Sequence, residues 1–213
     1  MQIEQIADHL WWWTAPHPDW GPSDFQDGRG WERDVSCYAL VQDGALALFD
    51  PLVPDGEEAA FWEALDRDVE HHGPPAMLLT IFWHSRSAQA ILDRYHGAMV
   101  WVHSRSQEPF ADRVGLTNTF GDGDVLPGGV EAIAMHHRSE AAFWVPSHSA
   151  LVFGDSVLGY EGRAELCPPS WLAEDEDESV EELKASVRRA LEREPERLLL
   201  THGGPHTRAE LQL

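Results

Sequence analysis

Apolar positions along this chain fall in short blocks separated by turn residues, and the blocks alternate between strand-like and helix-like spacing. Residues 36–42 (SCYALVQ) and 45–49 (ALALF) are apolar runs joined by Asp43-Gly44. A two-residue Asp-Gly link accepts the positive φ angles of a type I′ turn, so the pair predicts a β-hairpin that ends at Asp50-Pro51. Over 56–71 the apolar residues Ala60, Phe61, Ala64 and Leu65 share one face, which predicts a helix. Residues 77–80 predict a short buried strand. Residues 87–96 predict a helix with Ala88, Ile91, Leu92 and Tyr95 in one stripe, and 98–102 another strand.

The second half repeats the style. Strands are predicted over 130–135, 141–145 and 150–153, the last two joined by a turn at Pro146-Ser147-His148-Ser149. Over 179–193, Val180, Leu183, Val187 and Leu191 line one helical face. Ser179 followed by Glu182 is a capping-box pattern at its start, and Pro195 ends it. Leu198 to Thr201 predicts a final buried strand. No linker and no internal repeat interrupts the pattern, so residues 1–213 read as one domain. Strands mixed with helices in both halves suggest an α/β fold with two sheets covered by helices.

Composition narrows the roles. Hydrophobic residues make up 43% of the 213, with 10 Trp, which fits a globular domain with a sizeable core. The formal net charge is −22. Such a surface repels phosphate backbones and anionic headgroups, so neither nucleic acid nor a membrane surface is an expected partner. No apolar run nears the ~20 residues of a membrane span. Met1-Gln2-Ile3-Glu4 lacks the features of a signal peptide, which gives a cytoplasmic expectation. Cys37 and Cys167, the two cysteines, read as free thiols. The acidic run Glu174–Glu178 reads as a solvated turn.

Candidate chemistry collects just past four apolar strands. Strand 77–80 leads into Trp83-His84-Ser85-Arg86-Ser87, strand 130–135 into His136-His137, strand 150–153 into Gly154-Asp155, and strand 198–201 into His202-Gly203. Imidazole and carboxylate are common ligands of zinc and similar ions. Three histidines and an aspartate, each at a strand end, form a plausible ligand set on one rim. Trp11-Trp12-Trp13 and Trp20 flank His17 and Asp19. These rings either line an apolar pocket or pack under a sheet.

In this order and context the motifs resemble those of the metallo-β-lactamase superfamily over nearly the whole chain. Tyr38 to Asp50 resembles the opening hairpin with its first-motif aspartate. Leu78-Leu79-Thr80 and the His84 loop resemble the second motif. His136, with Glu140 four residues on, resembles the third. Leu151 to Asp155 resembles the fourth, and Thr201-His202-Gly203 the fifth. The resemblance implies a four-layer αββα sandwich of the metallo-β-lactamase type.

The second motif departs from the family's His-x-His-x-Asp-His. Phe82 stands at the first histidine, Arg86 at the aspartate and Ser87 at the last histidine, with only His84 kept. The resemblance then implies a metal set of His84, His136, Asp155 and His202 holding at most one ion, zinc being the expected one, and a structural role for Asp50. Asp155 and Arg86 are the catalytic candidates, with Arg86 expected to point at Asp155 in place of a second metal. Two functions stay open: a hydrolase of a small ester, thioester or amide, and a non-catalytic, metal-free relative that binds a small molecule or acts as an interaction module.

Overall fold

The computed structural model describes residues 3–26, 29–106, 114, 118–137, 139–172 and 179–213. The acidic run over 174–178 lies outside them. In chain order the strands and α-helices are β1 (Glu4–Ala7), β2 (Leu10–Pro16), β3 (Phe25–Gln26), β4 (Arg29–Gly30), β5 (Asp34–Gln42), β6 (Ala45–Phe49), α1 (Glu58–His72), β7 (Ala76–Leu78), α2 (Ala88–Arg94) and β8 (Met99–His103). There follow β9 (Asn118–Phe120), β10 (Val125–Leu126), β11 (Val130–Ala134), β12 (Ala141–Val145), β13 (Ala150–Phe153), β14 (Val157–Tyr160), β15 (Arg163–Leu166), α3 (Val180–Leu191), β16 (Arg197–Leu200), β17 (Gly204–Thr207) and β18 (Leu211–Gln212).

The first sheet runs β1-β2-β5-β6-β7-β8-β9 and the second β10-β11-β12-β13-β16-β17. Three buried clusters define the layers. One packs β2, β5 and β6 against α1 and α2 through Trp13, Leu48, Phe61, Leu65 and Ile91. A second fills the space between the sheets with Leu40, Phe49, Phe143, Val152 and Leu199. A third packs the second sheet on α3 through Leu151, Phe153, Leu183 and Val187. Helix, sheet, sheet and helix therefore stack as the expected αββα sandwich.

The predicted elements appear within a few residues of their expected ends. Asp43 and Gly44 take φ of 51° and 73°, the left-handed pair that the β5–β6 hairpin requires. Ser179 Oγ accepts the Glu182 N–H at 3.2 Å, capping α3, and also donates to the Glu182 carboxylate at 2.6 Å. The tryptophans of 11–13 resolve into packing. They form β2, with Trp13 in the α1-side core and Trp12 against the inter-sheet core. Both cysteines are buried free thiols. No helix among the described residues is long and apolar enough to cross a membrane.

At one end of the sandwich the two sheets are tied together. Ser36 N–H donates to the Thr201 carbonyl at 2.7 Å, and Tyr38 Oη donates to the Leu200 carbonyl at 2.9 Å. The strand ends of β6, β7, β13 and β16 open there.

Candidate metal centre

Four strand ends deliver the site. After β6 comes Asp50, after β7 Thr80 and a short 3-10 turn over Phe82–Ser85, after β13 Asp155, and after β16 His202. The Asp50 carboxylate is buried and is the strut of the assembly. Its Oδ1 accepts the Thr80 N–H at 2.9 Å. Its Oδ2 accepts the Thr80 hydroxyl at 2.5 Å and the Thr201 hydroxyl at 3.0 Å, and lies 3.0 Å from His84 Nδ1. This carboxylate fixes the His84 ring so that Nε2 faces away from Asp50 toward the cleft. The structural role expected of Asp50 is thus its observed one.

His84 Nε2 lies 3.2 Å from Asp155 Oδ1, and His202 Nε2 lies 3.0 Å from the same oxygen. All three ligand-type atoms fall within 4.8 Å of one another, and all three residues are buried. The other Asp155 oxygen, Oδ2, accepts the indole N–H of Trp83 at 2.8 Å. Close approach of the strands needs Gly154 beside Asp155: a Cβ there would stand 2.4 Å from Thr80 Oγ1. Below it, buried Glu140 accepts from Gly154 N–H, Ser156 N–H and Ser156 Oγ, which holds the β13 end in place. Burial and the neighbouring Asp155 push the Glu140 pKa up to about 8, against the pull of those donors.

Electrostatics follow from this packing. Burial alone would raise the Asp155 pKa, but His84 and His202 outweigh it and hold it well below the ordinary value. Burial likewise opposes ionised Asp50, and His84, Arg86 and Thr80 together bring its pKa below normal. For His84, burial and Arg86 pull the pKa down, yet Asp155 and Asp50 leave it raised. For His202 burial wins over Asp155, and the pKa is lowered.

Two sequence expectations need correction. His136 is not in this cluster. Its Nε2 lies 3.1 Å from Glu182 on α3, and it lines a separate depression with Arg105, Met135 and Arg189. The neighbouring His137 is buried and lines the Asp155 cleft instead. The reason is local: past β11, the bonds Met135 N–H to Glu140 O and Glu140 N–H to His137 O close a tight loop. Adjacent side chains of that loop face opposite ways, His137 inward and His136 outward.

Arg86 also differs from expectation. It does line the cleft, but among the described residues no ion pair joins it to Asp155. Its Nη1 donates to the Asp50 backbone carbonyl at 3.2 Å, while Nε and Nη2 are buried without a hydrogen-bond partner. A backbone φ of 30° at Arg86, costly for a residue with a Cβ, turns the side chain toward the Asp50 strand end.

The cleft above the cluster has a volume of about 440 Å³ and is walled by Trp31, Trp83 and Trp171, with His17 and Arg86 at its edges. The Trp31 ring stands edge-on to both His17 and His202, each at 5.0 Å. His17 Nδ1 accepts the Asp19 N–H at 3.2 Å, so Nε2 carries the proton of the neutral ring. Burial, then Arg86, lowers the His17 pKa to about 4. Neither the tryptophans of 11–13 nor Trp20 line this cleft, which Trp31, Trp83 and Trp171 wall instead. Trp31 and Trp171 lie in stretches with no motif to single them out.

The residues present fit one ion. Two ligands on ~2.1 Å bonds at a tetrahedral angle stand about 3.4 Å apart, close to the 3.0 and 3.2 Å observed. His84 has the carboxylate behind its other nitrogen that metal-bound imidazoles usually have. His202 lacks that support, since its Nδ1 is buried without a partner.

No protein-family model matches the chain. No curated protein sequence matches it either. Solved structures do. The DIM-1 metallo-β-lactamase exposed to ceftazidime superposes with a TM-score of 0.71 at 14% identity, covering 98% of this chain and 92% of that one. A metallo-β-lactamase from Pontibacter korlensis gives 0.70 at 12% identity over 98% and 94%. A metallo-β-lactamase family protein from Thermus thermophilus gives 0.64 at 16% identity over 95% and 76%. At these identities the likeness is one of fold.

Proposed function

For a chain with the metallo-β-lactamase fold, we propose a single-metal hydrolase of small esters, thioesters or amides. One observation carries the reading: His84 Nε2, His202 Nε2 and Asp155 Oδ1 converge within 4.8 Å at the floor of a Trp-walled cleft. These three residues would hold one divalent ion, zinc by the chemistry of the set, with His137 lining the same cleft. A bound ion of this kind lowers the pKa of water and polarises a carbonyl. The chain's own residues do the rest. Asp50 fixes the His84 ring. The tryptophan walls bind an apolar substrate body and exclude water. The neutral His17 offers an N–H donor at the cleft edge, suited to a substrate oxygen, and Arg86 adds positive charge that favours a developing oxyanion.

A second reading keeps a specific observation in its favour. Asp155 already receives direct contacts from both histidines and Trp83, and Arg86 places a fixed cation next to Asp50. The Asp155 carboxylate therefore has partners for both oxygens without an ion, as a metal-free ligand-binding module would require.

Elemental analysis and zinc titration of the purified protein separate the two, together with hydrolysis assays on 4-nitrophenyl acetate and a small aryl thioester. The hydrolase reading expects about one zinc per chain and turnover that His202→Ala reduces at least ~100-fold, as loss of an essential metal ligand does. A protein that retains no zinc and turns over no substrate belongs to the second reading. A content near two equivalents defeats both.

A further inference from the structure

The indole of Trp83 lines the same cleft as Asp155 and is hydrogen-bonded to its carboxylate. The 3-10 turn over Phe82–Ser85 holds it there, through the His84 N–H bond to Ile81 O at 3.0 Å and edge-on contact with Phe82 at 4.7 Å. Its N–H reaches Asp155 Oδ2 at 2.8 Å, while Oδ1 of the same group faces both histidine Nε2 atoms. The two oxygens of Asp155 are therefore divided: one is held by the protein, the other faces the cluster.

That division has a chemical consequence. The terminal torsion of an aspartate is soft and roughly two-fold, so nothing intrinsic keeps a given oxygen toward a given partner. A buried carboxylate oxygen also carries a sizeable cost when its donor is lost. We propose that Trp83 is a positioning residue, whose indole N–H holds Asp155 Oδ2 and so keeps Oδ1 turned toward the two histidines as the ligand atom. This rests on the single-metal reading.

The test compares metal-stripped wild-type protein with Trp83→Phe, which keeps a ring and loses the donor. Zinc affinity is measured against a competing chelator, cobalt(II) binding by its visible absorption bands, and folding by the melting temperature without metal. Wild type is expected to take one zinc. Trp83→Phe should still fold but melt at a lower temperature, bind zinc about 10–100-fold more weakly, and shift the cobalt bands, as removal of an outer hydrogen bond to a ligand does. Trp83→Gln carries an N–H at the same number of bonds from Cα and should recover affinity relative to Trp83→Met. That pair repeats the comparison should Trp83→Phe not fold. Wild type with one zinc and donor-less variants of unchanged affinity and cobalt spectrum would overturn the proposal alone. Wild type that binds two ions overturns it together with the single-metal reading. Wild type that binds none removes that reading, and the proposal with it.

Discussion

The His136-His137 pair shows how much a single position matters. Both are histidines at the end of one strand, yet one meets Glu182 on the outer helix and the other is buried at the cleft. Substitution separates them. His137→Ala is expected to weaken zinc binding at least ~10-fold, whereas His136→Ala, which removes a half-exposed partner of a surface carboxylate, should leave it within about two-fold. Isothermal titration with zinc checks both, and equal effects of the two would overturn the assignment. Arg86 carries a similar lesson. Its charge stands where the family resemblance puts an aspartate, but its hydrogen bond goes to a backbone carbonyl rather than to Asp155. A long side chain at positive φ selects its partner by reach and direction, and neither is written in residue type.

Elements behave more predictably than single side chains. The α3 helix has Ser179 at its cap, accepting the Glu182 N–H, and a buried stripe of Leu183, Val187 and Ala190. Its apolar spacing and its cap are local features, so they were legible in the sequence. Ser179→Ala should cost about 1 kcal/mol of unfolding free energy, measured by urea denaturation. Zinc affinity should not change, since α3 packs on the face of the second sheet away from the inter-sheet core. A loss above roughly 2 kcal/mol would mean that the cap supports more than the helix end. The β5–β6 hairpin was equally legible, because Asp-Gly between two apolar runs needs no distant partner. The short strands β1, β14, β15 and β18 were not. They carry too few residues for a period to show, and they form because a neighbouring strand supplies their hydrogen bonds.

The molecule as a whole does not depend on an ion to bury its core. Three apolar clusters hold the layers, and Asp155 is satisfied by Trp83, His84 and His202. Stripping metal with a chelator should therefore leave the circular dichroism spectrum unchanged. Re-addition of zinc at about 100 times its dissociation constant should add about 2.7 kcal/mol by mass action, seen as a rise in melting temperature. Unfolding on chelation, or no rise on zinc addition, would contradict this picture.

The order of strands and helices, the hairpin, the capped helix and the strand-end positions of Asp50, His84, Asp155 and His202 could all be read from the chain. Each depends on periodicity, turn chemistry or neighbours a few residues away, and such local preferences survive translation into any compact fold. Tertiary structure alone decided which of two adjacent histidines faces inward, which carbonyl Arg86 reaches, and which tryptophans wall the cleft. It also decided that an indole N–H occupies half of Asp155. These outcomes depend on side-chain direction between segments far apart in sequence, with Trp83 and Asp155 separated by 72 positions. Only the packing of the two sheets brings such groups within the 3 Å or so at which a hydrogen bond forms.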